Sequence, residues 1–168
     1  METIKKWPPP RTKKDVQSCL RYANYHRDHF SNLAEVSLPL IELTKKKVKF
    51  EWKKCHQDAF DKIKQSIINS VTLVFPSADE TFILDTDASD TAVAVELIQV
   101  HNAKECVVSY ASKILTPAQR RYCTTRKERL ALITFTRQFR NYLLGQNITV
   151  RTDHHSLIWL LRFKNIEG

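Results

Sequence analysis

Two segments, Phe82-Ile83-Leu84-Asp85-Thr86-Asp87 and Ile148-Thr149-Val150-Arg151-Thr152-Asp153, read as strands that each end in a Thr-Asp step, and a long amphipathic pattern containing Glu128 lies between them. Asp87, Glu128 and Asp153 therefore come from three separate elements and can converge on one point. Hard divalent cations such as magnesium are held by a few carboxylates and keep their remaining positions for water and phosphate oxygens. The chemistry open to such a trio is metal-assisted work on a phosphodiester. Each carboxylate also has a plainer reading. Glu128 can close a capping box with Thr125, Asp153 can cap a helix starting at His154, and Asp87 can make an Asx-turn into Ala88-Ser89-Asp90. His154 and His155 follow Asp153, but adjacent residues of a helix do not point at one centre, so both are read as first-turn helix residues.

The elements needed to position these groups are legible from periodicity. Trp7-Pro8-Pro9-Pro10-Arg11 cannot be helical and reads as an extended connector. Thr12 is an N-cap for a helix to about Phe30, Leu33 to Leu43 is a helix broken or kinked at Pro39, and Lys53 to Asn69 carries an apolar stripe of Ala59, Phe60, Ile63 and Ile67. After Pro76-Ser77 come β-type runs, Phe82 to Asp87, Thr91 to Gln99 and Cys106 to Ala111, with turn signals at Asp90 and His101-Asn102; such short connections predict antiparallel neighbours. Thr116, Pro117 and Gln119 form a capping box with proline at the first helical position. The main helix is expected from Arg126 to Leu144, stopping at Gly145, with Glu128, Leu132, Phe135, Phe139 and Tyr142 on the face toward the sheet and Ala131 beside them. A fourth strand, Asn147 to Thr152, then leads into a helix, His154 to Leu161, and Trp52 and Trp159 read as packing residues.

The chain has 168 residues, 42% of them hydrophobic, enough for one ordinary domain or two small ones. The division expected is a small helical unit over 1–75 and a mixed α/β unit over 76–168. No signal-peptide pattern is present and no apolar run reaches the roughly 20 residues that span a bilayer, so an intracellular place, cytoplasmic or nuclear, is expected, with no membrane partner. Cys19, Cys55, Cys106 and Cys123 show neither zinc-ribbon nor disulfide spacing. Formal charge is +9, and residues 1–75 hold 15 Lys and Arg against 8 Asp and Glu. That excess points to a polyanionic partner, with Lys45, Lys46, Lys47 and Lys49 as candidate phosphate contacts or, more plainly, a solvated loop.

Taken together, Thr86-Asp87-Ala88-Ser89, Thr125-Arg126-Lys127-Glu128-Arg129-Leu130-Ala131 and Thr152-Asp153-His154-His155-Ser156-Leu157 resemble the ribonuclease H domain of gypsy-type LTR-retrotransposon Pol polyproteins. Ser109-Tyr110-Ala111-Ser112-Lys113 and Phe139-Arg140-Asn141-Tyr142-Leu143-Leu144-Gly145 look like that family's linking segments. Upstream, Trp7-Pro8-Pro9-Pro10, Asn24-Tyr25-His26-Arg27, Pro39-Leu40-Ile41-Glu42-Leu43-Thr44 and Phe50-Glu51-Trp52 resemble its reverse transcriptase thumb and connection region. The resemblance implies a ribonuclease H-like α/β fold: a mixed sheet of three antiparallel strands plus a fourth parallel one, after a thumb-like helical unit. It implies an enzyme that cuts the RNA strand of an RNA/DNA hybrid by two-metal hydrolysis, with Mg2+ (Mn2+ as substitute) on Asp87, Glu128 and Asp153. Hybrid is then the partner, alongside the parent polyprotein's upstream polymerase palm; the oligomeric state is unassigned.

Three departures from the family pattern accompany this. A last strand and a helix with a fourth Asp do not occur before Gly168, and full activity is expected to depend on them. Thr91-Ala92-Val93-Ala94-Val95 lacks the glycines common in the second strand, and Glu96 stands where an apolar residue is usual, so either the local register shifts or a carboxylate is poorly placed. Two other readings follow: a catalytically silent remnant that only binds nucleic acid, and a host-reused partner-binding fold.

Overall fold

The structure, a computed structural model, describes residue 4 and residues 7–69, 72–77 and 79–152. Residues 7–11 are extended, as the proline run dictates, and the Trp7 ring lies 5.5 Å from Tyr22 and 5.9 Å from Phe60. Helix α1, Lys13–Tyr25, starts at Thr12, whose Oγ1 accepts from Asp15 N (3.2 Å) while Asp15 Oδ2 accepts from Thr12 N (2.9 Å). It ends earlier than the expected Phe30. His26 leaves helical dihedrals and a 3-10 turn, Arg27–His29, brings Phe30 into the core.

Helix α2, Leu33–Thr44, is not broken at Pro39, the position where a break or a kink was expected. Proline removes one i to i−4 hydrogen bond, but Ser37 before it and Leu40 and Leu43 beyond it are buried, and α2 packs against both α1 and α3, Lys54–Ile68. Tertiary packing on both sides of the proline keeps the turns in line. The predicted stripe Ala59, Phe60, Ile63 and Ile67 is buried. With Val16, Ala23, Phe30, Leu40 and Leu43, three of these four residues form one hydrophobic core.

A second core lies under a four-stranded sheet of β1, Phe82–Ala88, β2, Ala92–His101, β3, Lys104–Ile114, and β4, Ile148–Arg151, in the order β3-β2-β1-β4. The first three strands pair antiparallel and β4 pairs parallel with β1, as expected. The register of β2 on β3 shifts between Leu97 and Ile98, directly after Glu96, so Val108 is the extra residue of a bulge. The segment before β1 is tied to the sheet by Gln99, which is fully buried: its Oε1 accepts from Ser77 N (2.9 Å) and its Nε2 donates to Ser77 O (2.8 Å) and Glu80 O (3.1 Å).

Thr116 and Gln119 form the expected capping box of α4, Pro117–Arg120. Helix α5, Thr124–Gln138, differs from the prediction at both ends. It begins at Thr124 with Cys123 as N-cap, which places Thr125 inside the first turn, and it ends at Phe139, before a short α6, Arg140–Leu143. The change of direction at Phe139 turns Tyr142 outward and Leu143 into the core, where the continuous helix had Tyr142. Gly145, at φ +77°, supplies the left-handed residue after α6. Among the described residues, no helix is long and apolar enough to cross a membrane.

The β2–β3 hairpin turns through Asn102 and Ala103 with φ of 51° and 60° between the paired residues His101 and Lys104. Two left-handed central residues are the signature of the hairpin turn that matches strand twist, and alanine is strained there. Ala103→Gly should therefore stabilise the protein by about 0.5–1 kcal/mol, read as a higher urea midpoint at unchanged slope; an unchanged or lower midpoint would contradict the strain.

Candidate active site at the end of the central strands

Strand alternation sorts the residues of β1. Phe82 and Leu84 are buried in one core with Ala131 and Phe135 of α5, and Thr86 is buried too, so Ile83, Asp85 and Asp87 occupy the opposite face. On that face Asp85 and Asp87 line a groove of about 410 Å³ with Glu96 and Ala94 of β2 and with Ser31 and Asn32 from the helical unit. Asp87 is exposed. It does not serve as the turn residue: Ser89 does, its Oγ accepting from Thr91 N (3.2 Å) and Ala92 N (3.0 Å).

Glu128 belongs to the helix on the other side of the sheet. It lies on α5 one turn before Ala131 and is 1% exposed. A carboxylate so buried is costly unless hydrogen bonds or a cation compensate it. Because Cys123 rather than Thr125 caps α5, Glu128 stands beyond the N-terminal position that a capping box requires. Its neighbour Lys127 extends to the β1–β2 turn, where Nζ meets Asp90 Oδ1 at 2.7 Å. The first turns of α5 are thus joined to the residues that directly follow Asp87. The helical unit holds the same turn through Thr91, whose Oγ1 donates to Glu35 Oε1 (3.0 Å), and it meets β3 where Ala34 N donates to Ser112 Oγ (2.9 Å); within the unit Asn32 Nδ2 donates to Glu35 Oε2 (2.7 Å), so Glu35 accepts from both Thr91 and Asn32. Partial burial works to raise the Glu35 pKa, but these hydrogen bonds outweigh it and hold the carboxyl below its usual range.

Beside Asp87 lies a charged row that the sequence did not single out. Arg151 Nη2 meets Asp85 Oδ2 at 3.0 Å, and the same guanidinium pairs with Glu105 through two bonds of 2.7 and 3.0 Å. Glu96, opposite Asp85 in the β1–β2 register, has its pKa raised by burial and then by the Asp85 and Glu105 charges, against the opposing pull of Arg151. The paired strands place Arg151, Asp85 and Glu96 in line, a relation visible only once the register is known, and Glu105 reaches Arg151 from outside that row.

Of the expected trio, Asp87 is exposed on the face of β1 away from α5 and Glu128 is buried on α5, while Asp153, with His154, His155 and Trp159, lies outside the described residues. Among the described residues, no three His, Cys, Asp or Glu side chains group to hold a metal ion. Lys45, Lys46, Lys47 and Lys49 are exposed after α2, with Lys45 paired to Glu42 at 2.5 Å. Trp52 packs on Phe60 and donates to Gln57 Oε1 (2.9 Å). No described cysteine is in a disulfide, and burial pushes the Cys19 thiol up to about 11, which makes it unreactive.

Two stability tests follow. Glu96 has a folded-state pKa above its unfolded value, so the folded state binds its proton more tightly and stability falls as pH rises through that interval. Glu96→Gln should raise the urea midpoint at pH 7, with the gain fading as pH is lowered through the carboxylate range; a gain independent of pH would refute the charge effect. Lys127 is 6% exposed along its side chain but Asp90 is 99% exposed. Lys127→Ala should then cost about 1–2 kcal/mol through lost packing of its stem, while Asp90→Asn should leave the midpoint almost unchanged.

Comparison with known proteins bears on the family and the fold. Residues 52–150 match the family described as an RNase H-like domain found in reverse transcriptase, a match that starts in the helical unit and runs into β4. The chain is similar to the retrovirus-related Pol polyprotein from transposon 412 of Drosophila melanogaster, 34% identical over 164 residues, covering 98% of the chain and 13% of the relative. It is also similar to the transposon Tf2-3 polyprotein of Schizosaccharomyces pombe, 31% identical over 161 residues, covering 94% of the chain and 12% of the relative. The chain thus spans about an eighth of the length of these relatives. Among solved structures, the foamy viral protease-reverse transcriptase dRH in complex with ds DNA superposes with a TM-score of 0.79 at 21% identity, over 95% of this chain and 28% of that one. The foamy viral protease-reverse transcriptase in complex with RNA/DNA hybrid gives a TM-score of 0.75 at 21% identity, over 89% and 20%. At that identity the likeness concerns the fold alone. The chain belongs to the family of RNase H-like domains found in reverse transcriptase, in the form carried by retrotransposon Pol polyproteins.

Proposed function

We propose that this chain is the part of a retroelement reverse transcriptase that hydrolyses RNA paired to DNA, with Asp87, Glu128 and Asp153 as the oxygen donors for magnesium or manganese. The observation that carries the reading is the parallel register of β1 and β4. Its last described pair, Asp85 with Arg151, stands two residues before Asp87 on one strand and two residues before Asp153 on the other. Supporting it, buried Glu128 directly follows Lys127, whose ammonium meets Asp90 in the turn after Asp87. An all-carboxylate donor set suits a hard cation better than zinc or copper. When bound, divalent cations in such a site activate the attacking water and offset charge on the leaving oxygen.

The chain's own residues supply the positioning. The Lys127–Asp90 pair holds the first turns of α5 against the β1–β2 turn, and Thr91, on the Glu35 carboxylate, fixes the same turn to the helical unit. The net charge of +9 favours a polyanionic substrate, and the solved neighbours in complex with ds DNA and with RNA/DNA hybrid support a duplex partner. The 2′-hydroxyls and the wide minor groove of an A-like hybrid offer recognition without base sequence. The upstream polymerase palm of a Pol polyprotein would deliver that duplex.

Calorimetric titration with manganese should give a binding isotherm that Asp87→Asn weakens markedly, and whatever weak cutting of a labelled hybrid the wild type shows with magnesium should be lost in Asp87→Asn. Identical manganese binding in both proteins would overturn the site. Salt-dependent hybrid binding with no cleavage under either metal would favour the silent binder instead.

A further inference from the structure

Away from the carboxylates, a groove of about 570 Å³ runs between α1, α2, the edge strand β3 and the end of α5. Its apolar floor is rimmed by Arg21, Asn24 and Arg27 from the helical unit and by Ser112, Lys113 and Gln138 from the sheet side. No Asp or Glu is among its lining residues. Three cations from different parts of the chain thus face one concave surface, a concentration of like charge that the fold has to tolerate when nothing is bound.

The local partners leave those charges available. Arg21 spends its donors on Gln17 O (3.3 Å) and Ser18 Oγ (3.4 Å), both neutral, which align the guanidinium along α1 without cancelling it. Arg27 meets Asp28 only at 3.6 Å, with both side chains more than half exposed, a geometry that salt screens readily. Lys113 forms no ion pair with a carboxylate among the described residues. Asn24, Ser112 and Gln138 add polar groups along the same rim. A lysine on an edge strand also discourages addition of another strand, which disfavours an extended peptide as occupant.

We infer that this groove, rather than the Lys45 to Lys49 loop, holds the phosphate backbone of a nucleic-acid duplex through Arg21, Arg27 and Lys113. The inference rests on the nucleic-acid reading given above and adds the surface that does the holding. Phosphate contacts position a duplex without reading its bases, so affinity through this groove is indifferent to sequence. Because the groove spans the helical unit and the sheet, bound duplex also bridges the two cores. Both arginines present planar donors that suit phosphate oxygens, and Lys113 adds a point charge opposite them.

The test is binding of a fluorescent RNA/DNA hybrid to the full chain across a salt series, for the wild type, for the triple variant Arg21→Gln, Arg27→Gln, Lys113→Gln, and for Lys45→Gln, Lys46→Gln, Lys47→Gln. All six side chains are exposed, and thermal melting of each protein verifies the fold. The groove variant should lose about 2 to 3 units from the slope of log K against log salt, with its disadvantage largest at low salt. The loop variant should retain most of the slope. An unchanged slope in the groove variant, or an equal loss in the loop variant, overturns the groove. Loss of affinity for a fluorescent poly-glutamate peptide with hybrid binding intact would assign the groove to acidic peptides and equally overturn it. A wild type that binds no hybrid at any salt would instead defeat the nucleic-acid reading itself, and the two failures are distinct.

Discussion

The central strand β1 has both edges paired and both faces in use, and the rest of the domain is arranged around that. Its backbone pairs antiparallel with β2 and parallel with β4, so neither edge is free. One face, Phe82 and Leu84, packs on Ala131 and Phe135 of α5. The other carries Asp85 and Asp87 into a polar groove. A one-residue slip would exchange the faces, putting two carboxylates into an apolar core, so the register is strongly determined by burial alone. That same determination sets where the candidate carboxylates can be.

Holding a buried glutamate and an exposed aspartate in place requires more than the sheet. The β1–β2 turn is gripped from both sides: Asp90 by Lys127 of α5, and Thr91 by Glu35 of α2. Each bond is modest, since exposed ion pairs are worth about 0–1 kcal/mol, but together they orient a five-residue segment whose ends are already paired into strands. The helical unit is thus attached to the segment that carries the site, and any duplex lying across α1, α2 and β3 contacts a surface continuous with it.

The unusual Glu96 finds a physical account in the same architecture. A carboxylate on the polar face, opposite Asp85 and near Glu105, is tolerated because Arg151 stands among the three. The bulge at Leu97 and Ile98 begins directly after it, so the strand changes register where its side-chain pattern changes. A half-buried charge that raises its own pKa is a cost the fold carries, offset by packing of Val93, Val95 and Leu97 on the other face.

Much of the fold was legible along the chain because it depends on short-range rules. The Thr12 and Thr116 caps, the stripe of α3, the strands and their antiparallel pairing all follow from periodicity and turn chemistry, which act over a few residues. The candidate carboxylates were legible in part: the structure places Asp87 near the end of β1 and buries Glu128 on α5, as the strand and helix patterns suggest. What tertiary structure decided was of a different kind. Pro39 stays within a helix because Leu40 and Leu43 are buried beyond it; Tyr142 turns outward because α5 breaks at Phe139; Arg151 meets Glu105, forty-six positions away, although β4 and β3 are the two edges of the sheet. Whether Asp87 and Glu128 lie on one face or on opposite faces of β1, and that Arg21, Arg27 and Lys113 share a groove, depend on packing between elements distant in sequence. Local pattern specifies which face of each element is apolar, but the free energy that selects one docking of those faces comes from contacts that no local window contains.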